Sequence, residues 1–244
     1  MEELRLTCKE LKNIFNESKV IGNGYFGIVL DYHDKLYKID NCLYKKATYS
    51  DMYLFKNNVE KYYEYGDNFN DPKQIELLTN IQNNVKLTKL PKGIITIKDI
   101  NNEKVCGIIL PYHKGYENLD KFPLSHKKDL LIILKKLLLA AKELENNQIS
   151  QEDFAGYATD GDIYKRNYNV LYKGLDVQII DMSGKLVKVQ DEYLSSCNMY
   201  RSLSNILIDY YYFYKIKCPY IREKVTTYEE NEEMLNKLIY ELKL

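Results

Sequence analysis

Residues 21–29, IGNGYFGIV, place Gly22, Gly24 and Gly27 at G-x-G-x-x-G spacing, with an aromatic before the third glycine and Val29 two positions after it. Glycine lets a backbone approach phosphate oxygens closely and aim N–H groups at them. A bulged β-hairpin makes the same demand, so the chemistry depends on the residues downstream. A dinucleotide-binding loop would open a helix here. Instead Ile28-Val29-Leu30 reads as a strand, and no G-K-[ST] comes after it to make a Walker loop. Three further residues have types suited to a nucleotide. Lys38, between Tyr37 and Ile39, can point inward from the next strand at phosphates. Glu76, on a helix, can pair with it. Asp181 follows Ile179 and Ile180 and precedes a small, flexible run, a placement that suits Mg²⁺; Asn169 stands twelve residues before it.

The elements that must position these groups can be read from pattern. Residues 9–18 predict a short helix. VIGNGYFGIVLDY predicts two strands about a loop, His33-Asp34 a tight connection, and KLYKID (35–40) the next strand. Residues 41–70 are polar and tyrosine-rich and are expected to hold a helix and a loop. Pro72 fits the first turn of a helix that Asp71 would cap, with Ile75, Leu78 and Ile81 on one side and Glu76 beside them. GIITIKDI (93–100) and VCGIILPY (105–112) read as apolar strands around Asn101-Asn102, giving a sheet of about five antiparallel strands with one inserted helix. From Ser125 a long helix, apolar on most faces, suggests the centre of a helical region. Short strands at 168–172 and 177–181 and helices at 199–214 and 227–244 complete the chain.

The order of these motifs resembles the eukaryotic-type protein kinase family over roughly residues 18–185. IGNGYFGIV looks like the kinase glycine-rich loop. Tyr37-Lys38-Ile39 resembles the end of the V-A-I-K strand, Glu76 the helix-C glutamate, and Ile109-Leu110-Pro111-Tyr112 the gatekeeper and hinge. Asn169-Val170-Leu171 resembles the close of the catalytic loop, and DMSG at 181–184 stands where D-F-G would be. The resemblance implies a compact, two-lobed α+β fold in one domain, with an N-lobe of about 1–113 and a shortened, mainly helical C-lobe of about 114–244. It implies ATP and Mg²⁺ bound between the lobes. Ile21, Gly22, Gly24, Gly27, Val29, Lys38, Glu76, Leu110 and Tyr112 would bind nucleotide, and Asn169 and Asp181 would hold the metal. A catalytic aspartate would orient the acceptor hydroxyl.

The chain departs from the family pattern in two places. The H-R-D-x-x-x-x-N run is not intact. ISQEDF (149–154) makes Asp153 the catalytic aspartate, with Gln151 and Glu152 replacing His and Arg and a long segment before Asn169. GDIYKRN (161–167) offers Asp162 with Asn167 instead. The first pair is favoured, by the register of the NVL strand and by the distance from Leu144. Downstream, 60 residues follow Gly184 and no A-P-E appears, which bears on peptide substrates more than on nucleotide. The implied activity is γ-phosphoryl transfer from Mg-ATP to a hydroxyl, of Ser/Thr or of a small molecule. A pseudokinase, binding nucleotide without turnover, is the rival, as is a small-molecule kinase on the same fold. Each residue also has a plainer reading: an edge-strand lysine, a solvated glutamate, a turn aspartate at 181, a helix-capping aspartate at 153.

Composition sets the outer limits. The chain has 244 residues, 35 basic and 35 acidic, so charge gives no support to a nucleic-acid or membrane partner. Five scattered cysteines without a C-x-x-C pair, and three distant histidines (His33, His113, His126), do not suggest a zinc site or a disulfide framework. The charged start lacks a signal-peptide core, and LLIILKKLLLAA is broken by two lysines. A soluble, intracellular, cytoplasmic protein is expected. The 24 tyrosines read as codon bias, spread over core and surface.

Overall fold

The computed structural model describes residues 1–23, 27–41, 43–44, 72–98, 100, 103–157, 166–182, 187–189, 193–221 and 224–244. The expected glycine at 24, the Asp71 cap, most of the helix and loop at 41–70, Asp162 and Gly184 lie outside these residues. The fold is α+β, with five α-helices among the described residues. It divides into two compact units, one of residues 1–82 and 90–113, the other of 83–89 and 114–244.

The first unit is built on a six-stranded mixed sheet in the order β1-β5-β6-β4-β3-β2. The strands are β1 (Glu2–Leu6), β2 (Lys19–Asn23), β3 (Gly27–Tyr32), β4 (Lys35–Asp40), β5 (Gly93–Ile97) and β6 (Lys104–Leu110). The expected five-stranded antiparallel sheet is therefore corrected: β1 adds a sixth strand, parallel to β5. That pairing depends on Gly93, where a Cβ would overlap the carbonyl oxygen of Glu2, so only hydrogen fits. His33 and Asp34 join β3 to β4 with φ of 49° and 60°, the left-handed pair that a two-residue hairpin loop requires.

Helix α1 (Cys8–Glu17) starts at a reciprocal capping box: Thr7 accepts from the Glu10 N–H, and the Glu10 carboxylate accepts from the Thr7 N–H. Its Leu11, Ile14 and Phe15 recur at helical spacing and join one core with Ile28, Leu30, Ile39, Ile95 and Ile97 of the sheet. Helix α2 (Pro72–Ile81) buries Ile75 and Leu78 and packs beside β5.

The second unit is organised around α3 (Lys127–Asn146), which buries nine apolar residues from Leu130 to Leu144 and packs against α4 (Tyr193–Phe213) and α5 (Tyr228–Glu241). Small sheets complete it. One is β12-β11-β7, from β7 (Glu117–Asn118), β11 (Val170–Lys173) and β12 (Asp176–Ile179); the others pair β9 (Ala155–Tyr157) with β10 (Arg166–Tyr168) and β8 (Ile149–Gln151) with β13 (Val187–Val189). Residues 83–89 belong to this unit, whereas the sequence places all of 1–113 in the first. The reason is polar. The Glu143 carboxylate accepts from the N–H groups of Lys86 and Leu87, Thr88 Oγ1 exchanges hydrogen bonds with the Ile179 backbone, and Gln178 Oε1 accepts from Lys89 N–H. Buried tyrosines supply much of the core, each with a partner for its hydroxyl: Tyr168 donates to Asp209, Tyr200 to Glu145 and Tyr211 to the Met234 carbonyl. Burial first, and the neighbouring Glu145 carboxylate second, push the Tyr200 phenol far above its ordinary value.

Candidate functional site

In the first unit, backbone register assembles a single row across the sheet. Gly22 pairs with Val29, Val29 with Lys38, Lys38 with Ile108 and Ile108 with Ile94. Directly paired residues share a face, so Lys38 stands among apolar neighbours with 7 % of its surface exposed. Leu36 and Leu110 pair two positions along the same face. Gly27 lies over the lysine: a Cβ there would come within 3.2 Å of Lys38 Cγ and 3.3 Å of Cε. Tyr112 donates to Asp31 Oδ2 at 3.3 Å, and its phenol is held above the ordinary value by desolvation and then by that carboxylate. Gly22, Gly27, Val29, Lys38, Leu110 and Tyr112 thus belong to one region of the unit.

Two candidates stand apart. Register shifts between Val20 and Gly22, so Ile21 is the extra residue of a β-bulge and is 50 % exposed. Glu76 is exposed on α2, and among the described residues it forms no ion pair with Lys38. The helical spacing that turns Ile75 and Leu78 into the core turns Glu76 away from it.

In the second unit, the long insertion between Asp153 and Asn169 resolves into a hairpin stem. Ala155 pairs with Tyr168 and Tyr157 with Arg166, which returns the chain to its starting point. The Asn169 N–H donates to the Phe154 carbonyl at 2.9 Å. Its side-chain Nδ2 donates to the Asp153 carbonyl at 2.7 Å and to Asp153 Oδ2 at 3.1 Å. Asn169 is also linked to the metal candidate, because its carbonyl accepts from the Ile180 N–H. Asp181 then takes a left-handed backbone, φ 59°, which few non-glycine residues adopt. Asp153, Asn169 and Asp181 are all half-buried. In the alternative pair, Asn167 lies in β10, opposite Gly156, and Asp162 is outside the described residues.

Two residues that the sequence does not single out as holding this loop do so. Gln151 Oε1 accepts from the Asp153 N–H, and Ser202 Oγ on α4 accepts from the Phe154 and Ala155 N–H groups at 2.8 and 3.4 Å. Buried N–H groups need such partners, and no sequence period signals which distant side chain supplies them.

With Nδ2 committed to Asp153, Asn169 presents an amide oxygen that accepts no hydrogen bond among the described residues; oxygen donors of this kind, amide or carboxylate, are the type that hard divalent cations take. No group of three or more His, Cys, Asp or Glu residues able to hold a metal occurs among the described residues. None of their helices is long and apolar enough to cross a membrane. No protein-family model matches the chain, and no curated protein matches it in sequence.

Proposed function

We propose that this chain is a protein-kinase-like, ATP-dependent phosphotransferase that moves the γ-phosphoryl group of Mg-ATP to a hydroxyl, of Ser/Thr or of a small molecule. The observation that carries the reading is the double hydrogen bond from Asn169 Nδ2 to Asp153, which couples a general-base candidate to a metal-ligand candidate across sixteen residues of chain.

In this reading the backbone around Gly22 and Gly27 covers the phosphates, and Lys38, buried in an apolar row, offsets their charge. Asn169 Oδ1 and the Asp181 carboxylate would hold Mg²⁺, and the chemistry it would supply there is neutralisation of charge on the transferring group. Asp153, oriented by Asn169, positions the acceptor hydroxyl and receives its proton late in the transfer.

A second reading is a nucleotide-binding module without turnover. Exposed Glu76, not paired with Lys38, favours it, as does the Gln151-Glu152 sequence before Asp153. The deciding experiment tracks transfer of label from γ-labelled Mg-ATP to the protein or a generic hydroxyl acceptor, comparing the natural chain with Asp181→Ala. Label transferred by the natural chain and lost in the variant is the expected result. A Mg-ATP-induced thermal shift without transfer selects the second reading; absence of both removes the kinase reading.

A further inference from the structure

Helix α3 keeps one apolar stripe out of the core. Ile132 and Leu139 lie two turns apart and are each 42 % exposed, while nine other apolar residues of the helix are buried. Residues four positions later stand on one side of that stripe and tie other segments to it. There Lys136 Nζ donates to the Leu175 carbonyl at 2.8 Å, and the Glu143 carboxylate accepts from the Leu87 N–H at 2.7 Å. Leu175 is 40 % exposed and Leu87 41 %. All four aliphatic side chains thus belong to one surface of the second unit. Exposed leucines scattered singly are ordinary; a set gathered along one helix marks a surface that meets something.

The rim of this surface carries both signs of charge. Lys128 and Lys135 stand four residues before Ile132 and Leu139, on the other side of the stripe, and Lys86 and Lys89 flank Leu87. These four lysines are exposed, and none makes an ion pair among the described residues. Helix α5 borders the Lys135 side, where Lys142 Nζ lies 5.3 Å from the centroid of the Tyr228 ring. The outer face of α5 presents Glu229, Glu232 and Glu233, also exposed and without an ion pair among the described residues. A purely acidic partner, or an anionic lipid surface, would be drawn to the lysines but repelled by these glutamates. A partner bearing both signs beside an apolar strip meets no such conflict, and this chain is itself such a partner. Two-fold symmetry sets one patch against its own copy, so lysines of one meet glutamates of the other around an aliphatic centre.

We propose that the exposed stripe of α3 is the centre of a face through which two copies of this chain associate, the lysines around each stripe being opposed by the α5 glutamates of the other copy. None of the residues assigned to phosphoryl transfer takes part, so the proposal is independent of that reading.

Sedimentation equilibrium of the natural chain, over a concentration series at low and raised salt, reads the association. A concentration-dependent dimer is expected, weaker in salt because the charges at the rim are screened. L139E sets an unpaired charge at the centre of the face and is expected to weaken the dimer about tenfold or more. The double variants K128E/K135E and E229K/E232K should each self-associate less than the natural chain. Their equimolar mixture should recover association, because one then carries an acidic rim and the other a basic one. All the substituted residues are exposed, and recovery in the mixture requires both variants to be folded, so misfolding cannot imitate it. A natural chain that stays monomeric throughout overturns the proposal; if that monomer floats with phosphatidylserine vesicles or binds polyglutamate, a lipid surface or an acidic partner occupies the stripe instead. A dimer indifferent to L139E, or a mixture that associates no better than its components, places the contact elsewhere and overturns it as well.

Discussion

The candidate residues of the two units are held by different kinds of bond. In the first unit, Gly22, Val29, Lys38 and Ile108 are aligned by the ladder of a sheet, and side-chain identity contributes little to where the Lys38 backbone sits. In the second, Asp153, Asn169 and Asp181 lie outside any ladder; two backbone bonds hold Asn169, and side chains of Gln151, Asn169 and Ser202 hold the backbone around Asp153 and Asp181. A ladder-held group is vulnerable where two backbones approach too closely for a Cβ. A side-chain-held group is vulnerable wherever a hydrogen-bonding side chain becomes apolar.

The largest expected effect tests the second half of that contrast. Asn169→Leu removes both bonds to Asp153 and the amide oxygen together, and labelled transfer should fall about 10²-fold or more; a loss within threefold would break the comparison. Gly93→Ala tests the first half. Its methyl group would meet the Glu2 carbonyl, so β1 must shift, at about 2–3 kcal/mol in urea unfolding. An unchanged unfolding midpoint would mean that the close approach is not what holds β1.

A smaller effect comes from the start of α5, where Thr227 and Glu230 form a reciprocal cap. Thr227→Ala should cost about 1 kcal/mol. The Glu230 carboxylate lies below its ordinary pKa because the Thr226 N–H, and then the Thr227 N–H, donate to it. Its contribution is therefore fully present above the unfolded-state pKa and is lost as pH falls through the lower folded value. Melting temperatures of the natural chain and Glu230→Gln should converge on acidification; a constant gap would show that the charge is not what matters. Smallest of all is Glu76→Gln, which should change stability by no more than about 0.5 kcal/mol, with transfer within twofold, because that side chain is exposed and not paired with Lys38. A tenfold loss of transfer would show that Glu76 works through a pairing absent from this structure.

Legibility in the sequence divides along the same line. KLYKID, GIITI and the helix after Ser125 carry enough apolar residues in a row to fix their type, and the pairing of Val29 with Lys38 is determined once the His33-Asp34 turn is recognised. Strand β1 escapes a pattern reading because four of the first five residues are charged or terminal, although Leu4 and Leu6 alternate and Thr7 with Glu10 marks where the helix begins. Strands β7, β8, β9, β10 and β13 have two or three residues each, too few to show a period. The roles of Gln151 and Ser202 depend on partners 30 and 48 residues away, which no local pattern encodes.

The hairpin stem of β9 and β10 separates two lengths that are usually linked. Contour length between Asp153 and Asn169 can change while their distance does not, because the rungs at Ala155–Tyr168 and Tyr157–Arg166 close the path below any added chain. Loop-closure entropy grows only slowly with length, so a graft between Tyr157 and Arg166 costs about 0.6 kcal/mol for each doubling. The stem thus uncouples the spacing of Asp153 and Asn169 from the length of chain that separates them.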